Sequence, residues 1–257
     1  MQVTRIDRGH GTTTPEGVIA SAIGLGTRVS DVLGIVSGDG FARFRAVPVS
    51  GKDSFYDALR GVAMIGVGAP SHQGADGDLG MLETTLHEGT HHLIRRQTGW
   101  PGLPAGGQPG IVGEGLAQVI AGATMALLGP DERTRTRGWA ALDPRGQFAT
   151  IGRKRLPLSL SMQELHTRGP LLNDGGGVHV HGGIVQNAHY HLARASSLDT
   201  MLRITGEAMR GELRRSTGLR HWATSTLSAA ERLYGVGSTE ATQVRDAWSA
   251  VQLQLAG

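Results

Sequence analysis

His87-Glu88-Gly89-Thr90-His91 sets two imidazoles four residues apart, with a carboxylate beside the first. On a helix, residues i and i+4 lie one above the other, so both rings can reach a single metal ion. Glu88 then stands where a carboxylate can act as a base on water held by that ion. The alternative is an ordinary amphipathic helix that carries two histidines. Five residues alone do not separate the two, and the decision rests on what lies around them.

A catalytic zinc takes three protein ligands and keeps a position open. The positions that would complete a metzincin are Ile94 and Gln97, not glycine and histidine, so that branch is excluded. The best third ligand is Glu114, in Val112-Gly113-Glu114-Gly115-Leu116-Ala117-Gln118, 23 residues after His91. At the head of an apolar helix Glu114 would equally serve as a first-turn acid favouring the helix dipole. Further on, Asn173-Asp174-Gly175-Gly176-Gly177-Val178-His179-Val180-His181 places an acid five residues before a histidine on a glycine-rich backbone. Such a loop can bring an imidazole over a metal, with Asp174 holding it in a donating form. A flexible loop with solvent-facing histidines is the competing reading. His72, His92, His181, His189 and His191 could serve a second metal, but surface or supporting roles fit them better.

Composition bounds the rest. The chain has 257 residues, 40 of them glycine, and 4% aromatics, so packing rests on Ala, Leu, Val and Ile in a fold with many turns. The net charge is only +3, and Lys52 and Lys154 are the sole lysines, so no basic run is dense enough to track nucleic acid. Without cysteine there is no disulfide, thiolate ligand or cysteine nucleophile. Met1–Ala20 lacks the basic start and apolar core of a signal peptide. No apolar run approaches the roughly 20 residues of a membrane span. No membrane or nucleic-acid partner is expected; a cytoplasmic protein and a secreted mature fragment both fit, and oligomeric state is open.

Thr14-Pro15-Glu16 reads as a helix start, with Thr14 as N-cap and proline at the first helical position. Val18, Ala22, Leu25, Val29, Val32 and Val36 continue it as an apolar stripe, to a stop at Ser37–Gly40. Phe41–Val49 and Val62–Val67 have the composition of strands. The HExxH helix is expected over roughly Leu79–Thr98, ended by Gly99-Trp100-Pro101, and a buried helix over Ile111–Leu128. Asp131–Leu158 reads as irregular. Ser161-Met162-Gln163-Glu164 is a capping box, Arg168–Gly183 a glycine-rich segment, and the remainder helical with breaks near Gly218 and Gly235-Val236-Gly237. The expected class is α+β: a reduced α/β part over 1–100 that includes the HExxH helix, and a mainly helical part over 101–257 with the third ligand and histidine loop.

These motifs resemble, in order, those of the thermolysin-like zinc metallopeptidases, a gluzincin family. The family patterns HELTH, NEAxSD and DNGGVHxNSGIxNKAxY map on His87–His91, Gly113–Gln118 and Asp174–Tyr190, and the ending Ala230–Gly235, Ser238–Glu240 and Ala247–Val251 matches in type. The likeness spans roughly residues 50–251. It implies one zinc held by His87, His91 and Glu114, Glu88 as general base, and His179, oriented by Asp174, as donor to the oxyanion. It also implies peptide or protein substrates and a zinc metalloendopeptidase.

The departures are specific. The acid that braces a zinc-bound histidine in the family is here Gln118. The tyrosine that assists the oxyanion falls near Gly102, and Trp100 supplies no hydroxyl. The carbonyl-reading arginine would lie near Trp139, before Asp143-Pro144, with Arg135 or Arg137 as substitutes. The substrate-binding asparagine becomes Asp57, followed by Ala58. The calcium-binding acidic cluster is not recognisable after Gly122, so calcium is not expected there. These losses and the short front motivate two alternatives: a zinc-dependent processing or tailoring enzyme for one dedicated peptide, or a non-catalytic zinc-bound binding module. Retention of Glu88 argues against the last, since a structural zinc needs no base.

Overall fold

Thr14 opens the first helix as its residue type requires, its hydroxyl accepting the Gly17 N–H at 3.2 Å. The computed structural model describes residues 14–34, 41–51, 53–57, 60–73, 76–98, 106–151, 154–171 and 174–255. Helix α1 (Pro15–Val32) buries Val18, Ile19, Ala22, Leu25 and Val29 along one stripe. It ends earlier than the stripe suggests, because Gly34 takes a left-handed φ of 67°; Val36 and the expected stop at Ser37–Gly40 lie outside the described residues.

Phe41–Arg43 forms a short 3-10 turn where a strand was expected to begin, and the strand β1 is Arg45–Val49. With β2 (Phe55–Asp57) and β3 (Val62–Gly66) it makes a three-stranded sheet in the order β1-β3-β2. Strand β3 pairs parallel with β1 (Arg45 opposite Val62) and antiparallel with β2 (Phe55 opposite Met64). In this sheet β2 is thus an edge strand.

Helix α2 (Gly77–Thr98) carries the HExxH residues. It packs against α1 through Phe41, and a Cβ built on either Gly26 or Gly89 would lie 2.1 Å from that ring. The ring therefore wedges between the helices at Gly89, inside the HExxH motif.

Helix α3 (Gly107–Leu128) runs through the core. It corrects the expectation about apolar runs: α3 is long and apolar enough to cross a membrane, yet 78% of its most apolar stretch is buried inside the protein. Around it lie α1, α2, α4 (Glu132–Leu142), α6 (Val178–Ala195), α7 (Leu198–Glu212) and α8 (Leu219–Tyr234). The stretch read as irregular, Asp131–Leu158, instead holds α4 and an antiparallel hairpin of β4 (Phe148–Ile151) and β5 (Lys154–Pro157).

Helix α5 (Met162–Arg168) starts at the capping box: Ser161 Oγ accepts from Glu164 N–H, while the Glu164 carboxylate takes the N–H of Leu160, one residue before the cap. The chain breaks at Gly218 and Gly235, as expected, and ends with α9 (Thr239–Ala250). Trp222 and Trp248 are fully buried in this helical end, and the Trp248 indole N–H donates to Thr226 Oγ1 at 2.8 Å. The fold is α+β, with the sheet on the N-terminal side and helices predominating after α2.

Candidate active site

Helical spacing sets the first two ligands. His87 and His91, one turn apart on α2, bring their Nε2 atoms within 3.1 Å, the rings edge to face. Glu114, on the second turn of α3, reaches both: Oε2 lies 3.3 Å from His87 Nε2 and Oε1 3.5 Å from His91 Nε2. All three donor groups fall within 4.8 Å of one another. Ligands about 2.0–2.1 Å from a tetrahedral zinc stand about 3.3 Å apart; the two imidazole nitrogens stand 3.1 Å apart, and each meets a different carboxylate oxygen of Glu114. The donor set, two neutral-capable imidazoles and a carboxylate, fits zinc.

Electrostatics point the same way. Burial works to lower the His87 pKa, but the facing Glu114 carboxylate, aided by Glu88 and Gln118, raises it to about 9. Burial would raise the Glu114 carboxyl, and the imidazoles of His91 and His87 instead hold it well below the carboxylate range. Protein groups of opposite tendency face one centre, as they do where a cation belongs. Glu88, next along α2, is buried.

His179 completes the cluster from a different element than expected. It is not on a flexible glycine loop but in the first turn of α6, because Gly175, Gly176 and Gly177 take φ of 54°, 91° and 93° and turn the chain from Asp174 into the helix. His179 Nδ1 meets Asp174 Oδ1 at 2.5 Å, and Asp174 Oδ2 accepts the Val180 N–H at 3.3 Å. The Asp174 side chain is 1% exposed and His179 57%, so a fixed, buried carboxylate holds an imidazole that faces solvent. His179 Nε2 lies 3.6 Å from Glu114 Oε2. Close backbone approach makes this meeting possible: a Cβ on Gly115 would lie 2.6 Å from the Gly182 carbonyl.

The other candidates are placed as follows. Gln118 donates to Glu83 Oε1 at 2.8 Å. Arg137 is engaged by Glu83, and Arg135 by Glu132 and the Gly129 carbonyl. Asp57 accepts from Arg60 across the β2–β3 turn; Ala58, Trp100 and Gly102 lie outside the described residues. His181 is spent on Ser159 Oγ and the Gly169 carbonyl, His72 on Gly66 and Thr84, and His92 on the Tyr56 hydroxyl. Sequence reasoning missed Gln147, Phe148, Leu158 and Gln186, which with His87, Glu114 and His179 line a cavity of about 160 Å³. It missed Glu83 too, although its position four residues before His87 on the same helix was a readable signal.

A family model described as "Thermolysin metallopeptidase, alpha-helical domain" matches residues 108–253. No curated protein matches the chain significantly. In fold, the chain resembles the precursor of protealysin, a metalloproteinase from Serratia proteamaculans, with a TM-score of 0.68 and 16% identity over 96% of this chain and 81% of that one. The HExxH helix, the facing glutamate and the helical second half define a metallopeptidase. The chain belongs to the thermolysin family, whose members are zinc-dependent proteases.

Proposed function

We propose that the protein is a zinc-dependent endopeptidase that hydrolyses peptide bonds, with His87, His91 and Glu114 holding one zinc. The observation that carries this reading is the convergence of His87, His91 and Glu114, their donor atoms within 4.8 Å of one another, with His179 3.6 Å from Glu114. Zinc, when bound there, supplies Lewis acidity that acidifies water and polarises a carbonyl. Glu88 takes the proton from the attacking water and delivers it to the leaving amine. His179, acting as the imidazolium whose Nδ1–H is held by Asp174, offers its Nε2–H as donor to the oxygen on which charge develops. Asp57 and Ala58 would contact the substrate backbone, an extended peptide adding to the edge of the sheet at β2.

Glu88→Gln tests the assignment: zinc content should stay that of the parent, and peptide hydrolysis should fall by roughly 100-fold or more. Zinc loss would show that Glu88 is a ligand, and unchanged turnover would remove the mechanism. A narrower reading, a processing enzyme for one dedicated peptide, is favoured by Asp57 and Arg137 being taken up by Arg60 and Glu83. Incubation of zinc-loaded protein with a mixed peptide library, read by mass spectrometry, separates the two. Broad cleavage supports the general endopeptidase, and a single favoured sequence supports the dedicated one.

A further inference from the structure

Helix α4 ends at Leu142 with Asp143 as its C-cap, so the carbonyls of its last turn have no partner within the helix. Glutamine amides take them. Gln147 Nε2 donates to the carbonyls of Ala140 at 2.8 Å, Ala141 at 3.1 Å and Asp143 at 2.6 Å. Gln186 Nε2 donates to Ala141 at 2.7 Å and to Gln147 Oε1 at 3.4 Å. Gln118 Nε2 meets the same Ala141 oxygen at 3.4 Å. A carbonyl oxygen only accepts, so each amide turns its NH₂ towards the helix end and its own oxygen away from it.

All three glutamines line the cavity that His87, Glu114 and His179 share. Gln186 is 1% exposed, and its Oε1 has no hydrogen-bond partner among the described residues. Nor is that oxygen sealed in protein, so it opens on the cavity. Gln147 Oε1, bonded only by Gln186, keeps a second lone pair. With both NH₂ groups spent, these two amides offer acceptors alone, and the negative end of the α4 dipole lies behind them. Phe148, Ala149 and Leu158 supply the apolar part of the wall.

We propose that this cavity is a specificity site for a basic substrate side chain, lysine or arginine, at the cleaved bond, with Gln186 and Gln147 as the residues that select it. The aliphatic stem lies along Phe148 and Leu158, and the donor-only tip meets the amide oxygens. An aliphatic side chain would leave the Gln186 oxygen without a partner, and a carboxylate would set acceptor against acceptor. The inference deepens the endopeptidase reading and rests on it.

The test is cleavage of a mixed peptide library by the zinc-loaded full chain, with the residues on both sides of each cut scored by mass spectrometry. Peptides differing only at the selected position then give kcat/KM. One flanking position should be enriched in lysine and arginine. The lysine peptide should exceed its methionine counterpart, which has a stem of similar length, by about 10-fold or more, and the glutamate peptide should be the poorest. Gln186→Leu, with zinc content and a circular dichroism melt checked, should bring the lysine-to-methionine ratio close to one. Should that variant fail to fold, the peptide series on the parent decides by itself. Methionine cleaved as well as lysine at both positions, or an unchanged ratio in folded Gln186→Leu, overturns the specificity site alone. A zinc-loaded parent that cuts no peptide overturns the endopeptidase reading, and the specificity site with it.

Discussion

His179 and Asp174 differ more in exposure than any other bonded pair at the site, and the difference fits the roles proposed for them. The imidazole proposed to meet substrate faces outward, and the carboxylate bonded to it is sealed away from water. Removing one oxyanion donor costs about 2.7–4 kcal/mol, so His179→Ala should lower kcat by roughly 100- to 1000-fold while zinc content holds. Asp174→Asn should lose less, since the ring remains. Steady-state kinetics beside metal analysis check both; zinc loss in His179→Ala would make that residue a ligand. A second residue-scale prediction concerns pH. Burial between Trp222 and Trp248, only partly offset by the bond from Nδ1 to the Val185 carbonyl, lowers the His189 pKa to about 4. The folded state keeps this ring neutral while the unfolded chain protonates near 6.5, so its contribution is complete above 6.5 and lost as pH falls towards 4. The loss is about 3 kcal/mol. Urea unfolding at pH 7 and pH 5 should show this slope in the parent and a shallower one in His189→Gln, where His92, also lowered to about 4 by burial, still contributes. The spacing of Asp174 and His179 was readable in the chain. That three left-handed glycines start a helix between them was not, since glycine leaves the choice of conformation to its surroundings.

Helices meet here at glycines, and this is the reason some elements were hidden in the sequence. Helix α1 announced itself through a stripe of large apolar residues, and α2 through its histidines. Helix α4 buries only Thr134, Gly138, Ala141 and Leu142. A Cβ on Gly138 would lie 2.2 Å from the Ala126 nitrogen, so contact is made backbone to backbone, and hydrophobic periodicity does not register it. The same closeness makes the HExxH helix sensitive to a single methyl. Gly89→Ala should force Phe41 out of its seat and destabilise the fold by about 1–3 kcal/mol. Phe41→Leu should relieve part of that loss, because a smaller side chain leaves room at the crossing. Chemical denaturation of the two single variants and the double variant checks this, and independent, additive effects would refute the wedge.

At the scale of the molecule, the metal would tie α2 to α3, two helices already packed against one another. At free zinc about 1,000-fold above Kd, binding adds about 4 kcal/mol to stability. Stripping it should lower Tm by about 10 °C for a chain of this size, with helical content retained. Calorimetry with and without chelator measures both. Glu114 belongs to α3, the helix enclosed by α1, α2, α4, α6, α7 and α8. Its backbone amides should therefore be the last in the chain to trade hydrogen for deuterium, since they open only when the whole fold does. The β4–β5 hairpin, exposed along most of both strands, should exchange well before them, so one wall of the cleft opens and recloses beside a carboxylate that stays in place.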